Sequence, residues 1–189
     1  MKNLDILIFN WINHWPHTAQ IDQAMVWIEE TILTFRFDLL FIILFVLGLV
    51  LLRKKLWLGS FFLYIGFCLT ERFGYFLKTL FGRQRPYSVL ENVHRVGHAS
   101  GSCFPAVLAM TSSFVSVFMI LFGPPKLRWF WVGLIIFFGF FRIYSGVHYP
   151  GDILAGWALG TFLAVIFYVI TMKFDQILSK FIPAKTNSK

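Results

Sequence analysis

The sequence has few charged residues, few acidic residues and almost no cysteine. Only 14% of its 189 residues are charged and 58% are hydrophobic, which excludes an ordinary soluble domain of this size. Its two cysteines, Cys68 and Cys103, lie in or beside apolar runs, so we expect neither a disulfide framework nor a metal site. We also find no small-residue cleavage site after the first apolar stretch and no internal repeat, so neither a cleaved leader nor a repeat architecture is expected.

Long apolar runs predict instead an all-α, polytopic membrane helix bundle, formed as a single domain by residues 1–189. The runs that could span a bilayer cover approximately 37–52, 56–81, 103–122, 129–143 and 152–172. The N-terminal region, 1–36, contains two amphipathic segments. The first, 4–15, is expected at the membrane interface, and the second, 20–35, is expected either there or docked on the bundle. The prediction is therefore five to six transmembrane helices.

Basic residues outnumber acidic residues by 17 to 9, and they are unequally distributed between the two sides of the predicted bundle. Since spans alternate in direction, the end of the first span, the 123–128 turn and the basic tail 173–189 share one side, which the positive-inside tendency makes cytoplasmic. The opposite side would face the periplasm or the cell exterior. We assign the net charge of +8 to the membrane interfaces and to anionic head groups, and not to nucleic acid.

The outward side carries the residues that are best suited to chemistry. Arg142, His148 and Asp152 lie between two apolar runs, while Lys78 and Arg85 follow the second span. Arginine binds phosphate oxyanions, histidine acts as nucleophile or base near neutral pH, and an aspartate can fix the imidazole tautomer. A snorkelling arginine and a helix-capping aspartate would use the same residue types. Two cationic segments on the less basic side favour an anion site.

The order and spacing of these residues resemble the type 2 phosphatidic acid phosphatase family, which are membrane-embedded lipid phosphatases. The family signature has three parts: K-x6-R-P, then P-S-G-H, then S-R-x5-H-x3-D. The first part is present as Lys78, Arg85 and Pro86, where the proline is expected to stop any helix. The third part is present as Arg142, His148 and Asp152, with Phe141 in place of the usual serine.

The resemblance implies dephosphorylation of a membrane lipid phosphate with neither metal nor cofactor. His148 would attack phosphorus to form a phosphohistidine, Asp152 would orient it, and Lys78, Arg85 and Arg142 would bind the phosphoryl oxygens. Family analogy offers undecaprenyl diphosphate, phosphatidylglycerophosphate, phosphatidic acid and lipid A 1-phosphate as substrates. We expect a bacterial inner-membrane protein whose site faces the periplasm or exterior. A lipid phosphotransferase that uses the same intermediate is an alternative.

The second part of the signature is altered. Its register places it at Pro105, Ala106, Val107 and Leu108. In the family the histidine at the last of these positions protonates the leaving oxygen, and such help is typically worth about 10²–10⁴ in rate. Three interpretations stay open: a weak or disabled phosphatase, a phosphatase in which His98 supplies the proton, and a protein that binds lipid phosphate without turnover. For His98 and His94 individually, an exposed loop histidine without a role is the simpler interpretation.

Overall fold

The computed structural model describes residues 2–34, 42–43, 46–47, 54–96 and 99–181, and these residues contain helices and no strand. The helices are α1 (Lys2–Asn13), α2 (Ala19–Thr34), α3 (Lys54–Phe81), α4 (Pro86–Val89), α5 (Val107–Phe122), α6 (Arg128–Tyr144) and α7 (Pro150–Phe181), with a 3₁₀ turn at Pro125–Leu127. The all-α prediction is confirmed for this part of the chain. The first predicted span, 37–52, lies almost wholly outside it, as do His98 and the tail from residue 182.

Two helical stretches among the described residues, Pro125–Tyr144 and Pro150–Lys180, are long and apolar enough to cross a membrane. The sequence predicted five to six spans for the whole chain. α3 coincides with the second predicted span, whereas α5 begins later than the third. The 103–106 segment is not helical, because Pro105 disfavours helical geometry in the residue before it. α7 continues to Phe181, so part of the predicted basic tail is helical.

The bundle is built around α5, which packs most extensively on α7 and also on α6 and α3. The α5–α7 interface depends on small residues. A methyl group placed on Gly156 would lie 2.8 Å from the carbonyl oxygen of Ala106, and one on Gly160 would collide with the carbonyl of Met110. Glycine at these two positions therefore lets the two backbones approach each other closely, and this approach brings the start of α5 to the start of α7.

The sequence predicted that the N-terminal helix α1 lies at the membrane interface, but the structure also packs it against the bundle. It packs on α6 and α7, and its Phe9 is fully buried in a cluster with Tyr149 and Ile153. Its opposite face leaves Leu4, Leu7 and Trp11 largely exposed. The face of α1 that carries Phe9 is thus buried by protein, and the helix lies against the ends of α6 and α7 that hold Arg142 and Asp152.

Candidate active site

The two cations of the first motif converge on one carbonyl oxygen. Lys78, in the last turn of α3, donates from Nζ to the oxygen of Ser102 at 2.6 Å, and Arg85 donates from Nη2 to the same oxygen at 3.2 Å. Pro86 does not stop a helix, so that prediction is wrong: it begins α4. Proline is favourable at the first helical position because the N–H that it lacks would have no partner there.

Arg85 connects the first motif to the third. Its Nε donates to the oxygen of Gly101 at 3.0 Å, and its Nη1 donates to the oxygen of Val147 at 3.0 Å. The same Nη1 lies 3.4 Å from Nε2 of His148. The guanidinium is buried, so these contacts form in a site that excludes most water, where a charge acts strongly on its neighbours.

The turn between α6 and α7 directs His148 into the protein. Gly146 has a φ of +74°, and a methyl group there would lie 2.5 Å from the carbonyl oxygen of His94, so glycine is required for both reasons. His148 is 2% exposed, and Asp152, in the first turn of α7, is 0% exposed. The carboxylate of Asp152 accepts the backbone N–H of Tyr149 at 2.9 Å. His148 thus lies in the turn between α6 and α7, and Asp152 lies in the first turn of the helix that follows.

Cys103 lies between the imidazole and the carboxylate. Its Sγ donates to Oδ2 of Asp152 at 2.7 Å and lies 3.4 Å from Nδ1 of His148. The direct distance from Nδ1 to Oδ2 is 3.7 Å, which is too long for a hydrogen bond. Burial, followed by the charge of Asp152, raises the pKa of the Cys103 thiol well above its usual value, so the sulfur is a neutral donor. This contact was not expected from the sequence.

The environment of His148 keeps its imidazole neutral. Burial lowers its pKa to about 3, the hydrogen-bonding influence of Asp152 opposes this, and the charges of Arg142, Lys78 and Arg85 lower it further. A proton on Nδ1, on the side of Asp152 and Cys103, would leave the lone pair of Nε2 facing Arg85. This is the protonation state that a nucleophilic imidazole requires.

Arg142, at the end of α6, contacts a carboxylate that the sequence did not suggest. Its Nη1 donates to Oε1 of Glu29 in α2 at 2.8 Å, and both side chains are at most 9% exposed. Its Nε is buried without a hydrogen-bond partner among the described residues. Arg142 thus lies close enough to influence His148 while its charge is balanced by a carboxylate oxygen.

Arg83 links Asp152 to the N-terminal helix. Its Nη1 donates to Oδ1 of Asp152 at 2.6 Å and its Nη2 donates to Oδ2 of Asp5 at 2.6 Å. Its guanidinium carbon lies 4.2 Å from the centre of the Tyr149 ring. Asp5 also accepts the backbone N–H of Gly151 at 2.7 Å. Nothing in the sequence indicated that Arg83 contacts Asp152.

The altered second motif is adjacent to the third. Ala106 is fully buried, and its backbone N–H donates to the carbonyl oxygen of Asp152 at 3.2 Å. Val107 begins α5, and Leu108 is partly buried in its first turn. None of these three apolar side chains can give a proton. The histidine suggested as a substitute acid, His98, lies outside the described residues.

Among the described residues, two groups of side chains could bind a metal, although the sequence suggested none: Cys103 with His148 and Asp152, and His17 with Asp22 and His94. In the first group, Arg83 already occupies one oxygen of Asp152, and Lys78, Arg85 and Arg142 act on His148. This concentration of positive charge favours an anion over a divalent cation.

A cavity of about 320 Å³ opens beside the first motif. Its lining includes Arg83, Arg85, Tyr87 and Ser102. Arg85 therefore contributes both to this cavity and to the surroundings of His148, so an anion that enters the cavity meets the same guanidinium that lies beside the imidazole.

Comparison with known proteins agrees with this arrangement. Residues 55–176 match the family model of the PAP2 superfamily. The chain is 29% identical over 136 residues to the bacitracin transport permease protein BcrC of Bacillus licheniformis, with 66% of each chain covered. It is 28% identical over 120 residues to a lipid A 1-phosphatase of Rhizobium etli, covering 60% of this chain and 50% of the relative. It is 27% identical over 108 residues to an undecaprenyl-diphosphatase of Sulfolobus acidocaldarius, covering 55% and 51%. The matches span about half to two thirds of these relatives.

Solved structures share the fold over almost the whole chain. LpxE of Aquifex aeolicus superposes with a TM-score of 0.69 at 22% identity, covering 90% of this chain and 95% of that one. A transmembrane PAP2-type phosphatidylglycerolphosphate phosphatase of Bacillus subtilis gives a TM-score of 0.69 at 22% identity, covering 93% and 86%. At these identities the likeness establishes the fold. The family match over residues 55–176, which is more than half of the chain, shows that the chain belongs to the PAP2 superfamily.

Proposed function

We propose that the protein is a membrane lipid phosphate phosphatase that works through a phosphohistidine on His148. The observation that carries the proposal is the meeting of Arg85 with His148 at 3.4 Å, close to Lys78 on one side and Asp152 on the other. We place the site on the outward face of a bacterial inner membrane, because the basic residues outside this site concentrate on the opposite side of the predicted bundle.

In the proposed reaction, Nε2 of His148 attacks phosphorus, and the bond between phosphorus and the leaving oxygen breaks as the new bond forms. Lys78, Arg85 and Arg142 stabilise the charge that develops on the phosphoryl oxygens. Water then attacks the phosphohistidine, the bond from nitrogen to phosphorus breaks, and phosphate departs while the proton from water passes to solvent. Asp152 stabilises the positive charge of the ring from the Nδ1 side, where the Cys103 thiol lies between the carboxylate and the imidazole.

Because position 108 is a leucine, which cannot donate a proton, the substrate should be one whose leaving group needs no proton. A lipid phosphate monoester must expel an alkoxide, which needs a proton because it is a strong base. A lipid diphosphate that is attacked at its terminal phosphorus expels a phosphate group instead, whose second pKa is about 6. Such a group leaves without an acid. Since Leu108 cannot donate a proton, we propose a lipid diphosphate of the undecaprenyl diphosphate type as the favoured substrate.

A phosphate-release assay in detergent tests both parts of the proposal. We expect release from undecaprenyl diphosphate in the presence of a chelator, and release from phosphatidic acid, phosphatidylglycerophosphate and lipid A 1-phosphate that is slower by about 10² or more. His148→Asn should abolish phosphate release from every one of these substrates. Loss of release in this variant would show that the activity does not come from a contaminating phosphatase. Leu108→His combined with Val107→Gly should accelerate the monoesters by about 10²–10⁴ and the diphosphate much less.

A second function, binding of lipid phosphate without turnover, is favoured by one further observation. Cys103 occupies the oxygen of Asp152 that would otherwise face Nδ1 of His148, and this weakens the pair that a nucleophilic histidine needs. Saturable binding of the diphosphate with no release, in both the natural chain and the Leu108→His, Val107→Gly variant, would identify this function and refute the phosphatase.

A further inference from the structure

A second polar cluster lies outside the proposed catalytic residues, where the N-terminal helices meet the loop before the second motif. Nδ1 of His17 lies 3.1 Å from Oδ1 of Asp22, and Nε2 of His94 lies 2.9 Å from Oδ2 of the same carboxylate. The two imidazole rings overlap, with their centres 3.6 Å apart. Three potential metal-binding side chains from two separate segments, residues 17–22 around the start of α2 and the loop at His94, thus meet at one point.

The hydrogen bond on the far side of His17 determines which ring nitrogen can bind a cation. Nε2 of His17 lies 2.7 Å from the carbonyl oxygen of Asn13. A carbonyl only accepts hydrogen bonds, so Nε2 carries the proton and, in the neutral ring, Nδ1 presents its lone pair to Asp22. A lone pair facing a carboxylate oxygen is repulsive unless a proton or a cation lies between them. Histidines that bind metals commonly donate their other N–H to a backbone carbonyl in this way.

Asn13 also fixes the position of His94. This buried side chain donates from Nδ2 to the carbonyl oxygen of His94 at 2.8 Å and accepts the backbone N–H of His94 on Oδ1 at 3.0 Å. The same Nδ2 donates to the carbonyl oxygen of Tyr144 at 2.9 Å. The side-chain amide of Asn13 therefore positions the backbone of His94, and the backbone carbonyl of Asn13 orients the ring of His17. The geometry of the cluster is fixed by buried residues around it.

The carboxylate of Asp22 faces both imidazoles, with Oδ1 at 3.1 Å from Nδ1 of His17 and Oδ2 at 2.9 Å from Nε2 of His94. The side chain of His94 is 43% exposed, so the cluster is open to solvent on one side. In contrast with the His148 site, no arginine or lysine is paired with this carboxylate among the interactions of the described residues.

We propose that Nδ1 of His17, Nε2 of His94 and the carboxylate of Asp22 bind a divalent transition-metal ion of the zinc class, with water at the open position. Two imidazoles and a carboxylate are a ligand set that zinc accepts, at bond lengths of about 2.0–2.2 Å. The ligand atoms all lie within 4.8 Å of one another, which needs only small side-chain movements to surround one ion. The ion would tie the start of α2 to the 90–96 loop, and α2 carries the Glu29 that binds Arg142.

Cobalt(II) is a suitable metal for the test, since its visible spectrum reports its ligands. The full chain is purified in detergent, freed of metal with a chelator and titrated, and zinc is then added in competition. We expect one cobalt ion per chain, displaced by zinc, with no thiolate-to-metal charge-transfer band. His94→Ala and Asp22→Asn should each weaken binding by at least about tenfold. The control is His14→Ala, because His14 is exposed and contacts the carbonyl of Asn10 instead of Asp22; binding there should stay within about twofold.

Three results would overturn the proposal. The first is equal affinity in the natural chain, His94→Ala and Asp22→Asn. The second is failure to bind cobalt or zinc at micromolar concentration, which would identify the cluster as a proton-bridged ion pair. The third is a charge-transfer band that disappears in Cys103→Ser, which would place the metal beside His148. Asp22→Asn preserves the size of the side chain, and its elution profile in gel filtration distinguishes lost binding from lost folding. None of these readouts depends on phosphatase activity.

Discussion

Arg83 and Asp152 are joined by an ion pair of 2.6 Å although 69 residues separate them in the chain. Asp152 is completely buried, whereas the side chain of Arg83 is about one third exposed and reaches Asp5 with its other nitrogen. The guanidinium of Arg83 therefore fixes the Asp152 carboxylate on the side away from His148. Asp5 of the N-terminal helix in turn fixes the guanidinium.

Replacing Arg83 should slow turnover without abolishing substrate binding. We expect Arg83→Gln to lower kcat by about 10–100-fold, because a hydrogen bond to a buried charged group contributes about 1.5–3 kcal/mol and Asp152 would lose its orientation. Asp5→Asn should act in the same direction but more weakly. Arg95→Gln is the matched control, since Arg95 is an arginine that stacks on Tyr87 instead of pairing with Asp152. A rise in KM at unchanged kcat would show instead that Arg83 contacts the substrate.

Removing the sulfur of Cys103 should change how His148 and Asp152 interact. In Cys103→Ala the oxygen Oδ2 of Asp152 loses the thiol but keeps the backbone N–H of Tyr149, so it gains the capacity to accept a hydrogen bond from Nδ1 of His148 directly. We expect kcat to rise or stay unchanged in this variant, while Cys103→Ser, which keeps a donor, behaves as the natural chain does. A loss of activity in Cys103→Ala with normal activity in Cys103→Ser would show that the donor itself is required.

The thiol of Cys103 should also resist alkylation. Burial and the Asp152 charge raise its pKa, and alkylating reagents react with the thiolate. In a Cys68→Ser background, which removes the other cysteine, a maleimide should label the folded protein very slowly at pH 8 and rapidly after denaturation. Rapid labelling of the folded protein would contradict the closed site.

Much of this arrangement could be predicted from local sequence, and the rest could not for a physical reason. The apolar runs predicted α3 and α6 closely and placed Asp152 at the start of α7, although α7 continues to Phe181 and not only to the predicted residue 172. The contacts of Asp5, Glu29 and Cys103 depend on how distant helices pack; Glu29 and Arg142 are 113 residues apart. Hydrophobic periodicity reports which face of a helix is buried, but it does not report which helix covers that face. Pro86 was misinterpreted because proline is compatible with the first turn of a helix as well as with its end.

Glu29 should compete with phosphate for Arg142. The ion pair between Glu29 and Arg142, at 2.8 Å, is almost fully buried. A phosphoryl oxygen that binds Arg142 must therefore displace the Glu29 carboxylate. We expect Glu29→Gln to lower KM, and the inhibition constant of vanadate, by about three- to tenfold, while the melting temperature falls because a buried charge has lost its partner. Glu30→Gln, one residue further along α2 and exposed, is the control. Unchanged vanadate inhibition in Glu29→Gln would mean that Arg142 is not a phosphate ligand.

The neutral state of His148 predicts a specific loss of stability in acid. Its pKa lies at about 3 in the folded protein and at its ordinary value of 6.5 when the chain is unfolded. Between these values the unfolded chain binds a proton that the folded protein excludes, so stability falls as pH falls through this window, by at most about 1.4 kcal/mol per pH unit from this residue. Chemical unfolding in detergent at several pH values between 6.5 and 4 measures the slope. We expect a shallower slope in His148→Asn than in the natural chain, because asparagine does not titrate. Parallel slopes would mean that His148 takes up a proton equally well in both states, and the nucleophile would then be protonated in mild acid.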